Sequence, residues 1–67
     1  MEKYYIRQRL IFDCFGNCIR GAHHWENVRN SKGKTTFYDD IDDARATKMY
    51  LESLSHYYEY KIMTKNT

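Results

Sequence analysis

The clearest pattern in this chain is a run of apolar residues at helical spacing in its second half. Apolar residues recur at the spacing of one helix face, at Ile41, Ala44, Leu51 and Leu54. Asp40 stands before the repeat, where a carboxylate accepts hydrogen bonds from the free N–H groups of the first turn. Asp42 and Asp43 follow inside that turn, where the helix dipole favours negative charge. The pattern predicts one amphipathic helix of about four turns, beginning at Ile41 and ending near His56.

The segments on either side of this helix alternate with a period of two, which is typical of strands with one wet face. The first strand covers residues 4–12 and presents two faces: Tyr4, Ile6, Gln8, Leu10 and Phe12 on one, and Tyr5, Arg7, Arg9 and Ile11 on the other. Turn-forming residues at 13–17 predict a hairpin into a second strand at 18–28. A basic turn at 29–34 leads to a short third strand at 35–38. A last strand covers residues 57–64, and residues 65–67 are expected to fray.

The order β-β-β-α-β predicts an α+β fold with two layers. We expect a single domain, residues 1–67, in which an antiparallel sheet of three to four strands packs on one helix. The apolar stripe of the helix and the apolar face of the sheet then bury each other, leaving a thin core. The pattern does not fix whether the last strand pairs with the first strand or with the third.

Size and composition favour a binding protein over an enzyme. A chain of 67 residues can hardly build both a rigid scaffold and a pocket of roughly 300 Å³. The sequence also lacks a nucleophile elbow, a phosphate-binding glycine loop and a metalloprotease helix. We therefore expect no catalytic residues, no cofactor and no metal. Seven of the residues are Tyr, whose rings suit both a thin core and a binding surface.

The charge of the chain is nearly balanced, at +2. Residues 1–38 contain seven Lys/Arg and three Asp/Glu, whereas residues 39–67 contain four and six. This polarity is too weak to indicate a nucleic-acid partner by itself. No apolar stretch has the length of a membrane span, and the first residues lack the apolar core of a signal peptide. We expect no membrane contact and a cytoplasmic location.

One short region contains residues of the types that bind zinc: Cys14, Cys18, His23 and His24. Neighbouring residues on a strand point to opposite faces, so the two histidines cannot readily share a metal. A zinc site and a disulfide between the cysteines remain alternatives. The favoured interpretation is a pair of ordinary thiols at a turn, beside two half-exposed imidazoles.

The basic and aromatic residues of the sheet are the candidates for function. Arg and Tyr are enriched at protein–protein hot spots, and the same residue types contact phosphates and stack on bases. The predicted partner-binding residues are Tyr5, Arg7, Arg9, Arg20, Arg29, Lys32, Lys34, Tyr58 and Tyr60. A solvated face with scattered charges is the alternative. Trp25 is expected to face the helix as a core anchor, and the alternative is an exposed hot spot beside His23 or His24.

The passage from Phe37 to Leu54 resembles the arm-type DNA-binding domains of phage and transposon integrases. It runs from Phe through an acidic cap to Ala-Arg on a helix, with Lys32-Gly33-Lys34 as the basic turn before it. The resemblance covers about twenty residues. It implies a three-stranded sheet laid in a DNA groove with one helix behind it. This chain departs from that pattern by its additional final strand and by its balanced charge.

In size and in its richness in Tyr, Asp and Lys, the chain is also similar to small phage-encoded inhibitors of host machinery, including anti-CRISPR proteins. This resemblance implies a host protein or ribonucleoprotein complex as the partner, such as a nuclease, polymerase or restriction factor. We expect this function first and a sheet-mediated DNA-binding accessory function second. The exposed edges of so small a sheet can also pair across a two-fold axis, so a homodimer is a further expectation.

Overall fold

A computed structural model describes residues 2–13, 15–19, 21 and 23–66. Its regular elements are strand β1 (Glu2–Leu10), strand β2 (Glu26–Asn27), helix α1 (Ile41–Leu54) and strand β3 (Tyr58–Asn66). The strands form one antiparallel sheet in the order β2-β1-β3. The predicted α+β class is confirmed, and the last strand is now placed beside the first.

The helix begins where its sequence predicts. The Asp40 side chain accepts a hydrogen bond from the backbone N–H of Asp42 at 2.9 Å, and Asp40 itself has extended backbone angles. Asp42 and Asp43 occupy the first turn. The helix ends at Leu54, about half a turn before the predicted end at His56.

The predicted second and third strands are mostly wrong. Among the described residues of 18–28, only Glu26–Asn27 belongs to a strand, and Gly21 takes a positive φ of 93°, which an extended chain does not have. Residues 29–35 form a separate hairpin with a single bridge between Arg29 and Thr35. Tyr38 then returns to pair with Tyr4 on the edge that β2 occupies. One interrupted edge therefore replaces two predicted strands, giving the order β-β-α-β.

The end of the chain is more regular than predicted. Lys65 lies opposite Lys3, and Asn66 lies opposite Glu2, in the ladder between β1 and β3. The predicted fraying is wrong for these two residues. The first hairpin is confirmed: Phe12 bridges Cys18, and Gly16 takes a positive φ of 81° in the turn.

The register of β1 and β3 divides the sheet into two faces. One face carries Tyr4, Ile6, Gln8, Leu10, Tyr58, Tyr60, Ile62 and Thr64. Helix α1 covers this face, since Ile6 at its centre and Ala44 on the helix are both buried, and Glu52 of α1 acts on Tyr60. The other face, which we call the helix-free face, carries Lys3, Tyr5, Arg7, Arg9, Glu59, Lys61, Met63 and Lys65.

The core is thin, as expected for this length. In the described part of the chain, the buried apolar side chains are Ile6, Ile11 and Ala44. The sheet is therefore stabilised on one side by α1. On the helix-free side, the surface is built from long charged side chains and aromatic rings.

Candidate functional site

The helix-free face places like charges directly opposite one another. Lys3 lies opposite Lys65, and Arg7 lies opposite Lys61. Cations at opposed positions of an antiparallel pair repel each other and lower the stability of the sheet. This arrangement is unfavourable for folding alone, and it is suited to holding an anion between or above the two strands.

Arg9 is a cation of this face that pairs with a carboxylate of the same face. Its Nε donates to a carboxylate oxygen of Glu59 at 2.7 Å, and its Nη2 forms an ion pair with the same oxygen. Both side chains are mostly shielded, at 21% and 27% exposure. The pair fixes the Arg9 guanidinium on the sheet surface, so that its charge is less available to a ligand than that of Lys61.

Trp25 lies among these cations. The Nζ of Lys61 is 4.3 Å from the centre of a Trp25 ring, and the Cζ of Arg9 is 4.8 Å from it. Arg7 donates from Nη2 to the Trp25 carbonyl at 2.9 Å. These are cation–π distances, each worth about 0.5–1 kcal/mol where the cation is solvated. The prediction that Trp25 faces the helix is wrong.

The position of Trp25 follows from the strand period. Asn27 lies opposite Arg7, and Trp25 precedes Asn27 by two residues. Residues two apart on an extended chain point to the same face. Trp25 therefore lies on the side of Arg7, away from α1.

A second aromatic group lies toward the other end of the face. The rings of Tyr5 and Phe37 meet edge to face, with centres 5.8 Å apart. Lys65 Nζ lies 5.1 Å from the Phe37 ring, and Phe37 is 41% exposed. At the rim, Lys3 Nζ pairs with Asp39 at 3.2 Å. Cations and exposed ring surface therefore alternate across the face.

Arg7 carries an additional polar feature. Its Nε is buried and has no hydrogen-bond partner among the described residues. A buried donor without a partner costs about 1–3 kcal/mol. The unpartnered Arg7 Nε and the repulsion between Arg7 and Lys61 both lower the stability of the sheet at the middle of this face.

The predicted site residues do not form one surface. Tyr5, Arg7 and Arg9 lie together on the helix-free face, as predicted. Tyr58 and Tyr60 lie on the helix side, with ring centres 6.4 Å apart. Burial, followed by the charges of Tyr58 and Glu52, raises the pKa of Tyr60 above its usual 10.0. A single contact surface containing all five residues is excluded by the register.

The other predicted residues fall outside this face or outside the described chain. The basic turn contains Arg29, Lys32 and Lys34, and all three are exposed. The Asn30 side chain holds this turn by accepting from the N–H groups of Lys32 and Lys34 at 2.9 and 3.2 Å. Arg20 lies outside the described residues. The proposed contacts of these residues with a partner stay predictions.

The predicted site residues did not include three cations of the helix-free face, Lys3, Lys61 and Lys65, or the two rings that contact it, Trp25 and Phe37. The period of two in the last strand does predict that Lys61 lies on the opposite face of that strand from Tyr58 and Tyr60. What was lacking was the pairing of that strand with β1, which sets Lys61 opposite Arg7. Pairing partners depend on the whole chain, whereas a period can be seen in a few residues.

The Cys/His region contributes no metal site that can be described. Within the described residues, no group of three or more His, Cys, Asp or Glu side chains is close enough to hold a metal ion. The side chains of Cys18, His23 and His24 are exposed. Cys14 lies outside the described residues, so the disulfide alternative stays untested.

Comparison with protein-family models, curated proteins and solved structures finds no match for this chain. In the described ranges, no helix has the length and apolar character needed to cross a membrane.

Proposed function

We propose that this chain is a non-catalytic binding protein that uses its helix-free face to bind the backbone of a nucleic acid. The observation that carries the proposal is the presence of two cross-strand pairs of cations, Lys3 with Lys65 and Arg7 with Lys61. A polyanion between these side chains attracts both cations of each pair. Binding is therefore strengthened by removal of the cation–cation repulsion that destabilises the free protein.

The rings of the face support the same ligand. Nucleic-acid backbones are contacted by Lys and Arg, while bases stack on aromatic side chains. Phe37 exposes two-fifths of its surface beside Lys65, and Trp25 is half-buried beside Lys61. An acidic protein patch without apolar or aromatic side chains would neutralise the cations but leave the exposed ring surface unused.

The architecture is compatible with DNA binding of the kind that the integrase resemblance implies. Three strands form a sheet with one helix behind it, and no helix covers the opposite face in the described part of the chain. The chain differs from that pattern because one of its three strands, β3, follows the helix. The proposal therefore rests on the charge of the face rather than on the resemblance.

A titration of Trp25 fluorescence with short duplex and single-stranded DNA tests the proposal. Trp25 is the one tryptophan of the chain, and Lys61 lies against its ring. Phosphate that draws Lys61 away changes the environment of the indole, so we expect a saturable change in emission. The apparent affinity should fall steeply with salt, because bound counterions are released. No fluorescence change, or binding that salt does not weaken, would contradict the proposal.

The second candidate is the host-machinery inhibitor expected from the sequence, encoded by a phage or mobile element. The observation that favours it is the apolar surface of α1, where Met49, Tyr50 and Leu54 are 62–70% exposed. Exposed apolar surface marks protein partners more often than nucleic acid. A pull-down from host lysate tests it, with Tyr50→Ala/Leu54→Ala as the variant that should lose the partner. Recovery of the same protein by that variant argues against this candidate.

A further inference from the structure

We propose that the chain forms a two-fold symmetric dimer in which β3 pairs antiparallel with β3 of a second copy. Two three-stranded sheets then join into one sheet of six strands. This inference is independent of the ligand that the helix-free face binds.

The outer edge of β3 is available for pairing. Ile11 donates its backbone N–H to the Tyr57 carbonyl at 2.8 Å, so the odd-numbered residues of this region direct their backbone groups toward β1. In an antiparallel ladder the intervening residues direct theirs to the other side. In β3 these outward residues are Tyr58, Tyr60, Ile62, Thr64 and Asn66. No backbone hydrogen bond to them from elsewhere in the described chain is present.

Such an edge is a template for another strand. β3 is nine residues long and contains no proline, and its register with β1 is regular throughout. A strand of this length with free N–H and C=O groups pairs readily unless something covers it. On the opposite edge of the sheet, β2 is only two residues long, so that edge offers no comparable row of free backbone groups.

The sequence of β3 is complementary to itself when two copies of the strand pair about Ile62. When Ile62 lies opposite Ile62 of the second copy, all nine residues overlap and the outward groups meet one another. Glu59 then lies opposite Lys65 of the second copy, twice by symmetry. The neighbouring register sets Lys61 opposite Lys61, which is repulsive. The register centred on Tyr60 also sets Glu59 opposite a lysine, Lys61, but only residues 58–62 of the two strands overlap in it. Strand overlap and charge together therefore select the register centred on Ile62.

The helices provide a second reason to expect a second copy as the occupant. Helix α1 packs over β1 and β3 and not over β2, so it lies toward the free edge. With strands about 4.8 Å apart, pairing across that edge brings the two α1 helices to roughly 10 Å, the distance at which helices pack. The exposed Met49, Tyr50 and Leu54 give α1 the apolar surface that a neighbouring helix can cover.

The symmetry axis of this register runs perpendicular to the sheet. Both helices then lie on one side, and both helix-free faces lie on the other as one continuous surface. The dimer would thus present Lys61 and Lys65 of each copy close to the joining edge. If the helix-free face binds nucleic acid, dimerisation doubles the number of cations along it.

Mass in solution is the first test. We expect wild-type protein, over a series of concentrations up to millimolar, to approach twice the chain mass of 8.2 kDa. In Thr64→Pro, the substitution removes an outward N–H and leaves the hydrogen bonds between β1 and β3 in place, so its mass should stay at 8.2 kDa. Thr64→Ser is the matched control and should dimerise. A wild-type monomer at every concentration, or a dimeric Thr64→Pro, would overturn the proposal.

Disulfide trapping tests the register and does not depend on the folding of the proline variant. In a Cys14→Ser/Cys18→Ser background, Lys61→Cys and Met63→Cys chains are mixed and oxidised. The register centred on Ile62 sets these positions opposite each other at a separation that a disulfide spans. We expect the mixture to cross-link and Lys61→Cys alone not to. Cross-linking of Lys61→Cys alone, or no cross-linking in the mixture, rejects this pairing. Loss of nucleic-acid binding would leave both results unchanged.

Discussion

Asp13 accepts hydrogen bonds from the turn that follows β1. Its side chain accepts from the backbone N–H groups of Phe15 and Asn17 at 2.8 and 2.9 Å, and from the Asn17 side chain at 3.3 Å. The N–H of Asn17 is the largest cause that holds the pKa of Asp13 below its usual 3.8. Donors to a carboxylate stabilise its charged form, so this group stabilises the turn more when it is ionised than when it is protonated.

The pH dependence of this turn follows from that lowered pKa. The stabilisation is fully present above 3.8 and is lost as the pH falls through the lower pKa of the folded state. In an NMR titration, we expect the amide signals of Phe15 and Asn17 to shift with a midpoint below 3.8. Asp13→Asn keeps an acceptor without a charge and should abolish this titration. A midpoint at or above 3.8 would contradict the assignment.

For individual residues, the sequence was sufficient where the hydrogen-bond partners of a side chain lie close to it in the chain. The cap at Asp40 and the turn at Asp13 depend on groups within four residues, and both were predicted. Trp25 was not, because its face depends on Asn27 pairing with Arg7, eighteen to twenty residues earlier in the chain. Tryptophan does prefer shielded positions, but here its ring packs against Arg9 of β1 and Lys61 of β3 rather than against the helix.

At the scale of elements, α1 depends on its N-terminal cap. We expect Asp40→Ala to lower the free energy of unfolding by about 1 kcal/mol, because the N–H of Asp42 loses its acceptor. Asp40→Ser retains an acceptor and should cost less. Urea denaturation followed by circular dichroism measures both.

Asp39→Ala is the matched control for this cap. Asp39 precedes the cap and pairs with Lys3 while 76% exposed, so its removal should cost little. Equal destabilisation by Asp39→Ala and Asp40→Ala would show that general negative charge, rather than the cap, stabilises α1.

The strands show where the sequence stops being sufficient. β1 and β3 were predicted to within two residues because their alternation continues over a full strand. Residues 18–38 also alternate in part, but Gly21 and the hairpin at 29–35 break the edge into short pieces. The local propensity of Thr35 and Tyr38 for strand was real, and each does form an isolated bridge. Their different pairing partners prevented a continuous third strand.

For the whole molecule, the layers were predictable and the charged face was not. One apolar helix stripe and one apolar sheet face require each other, so the two-layer architecture follows from the sequence. The net charge of +2 gave no sign of a basic surface. That surface arises because the register of β1 and β3 collects cations from both ends of the chain, while the Asp residues gather at the start of α1.

Salt-dependent DNA binding by two matched charge variants shows whether the helix-free face is the binding surface. Lys61→Gln/Lys65→Gln removes two cations from the helix-free face, and Lys32→Gln/Lys34→Gln removes two from the exposed turn. We expect the first variant to bind labelled DNA more weakly, with a log-affinity against log-salt slope shallower by about 2, and the second to resemble wild type. Equal slopes for the two variants, or a larger loss in the turn variant, would show that the helix-free face is not the binding surface.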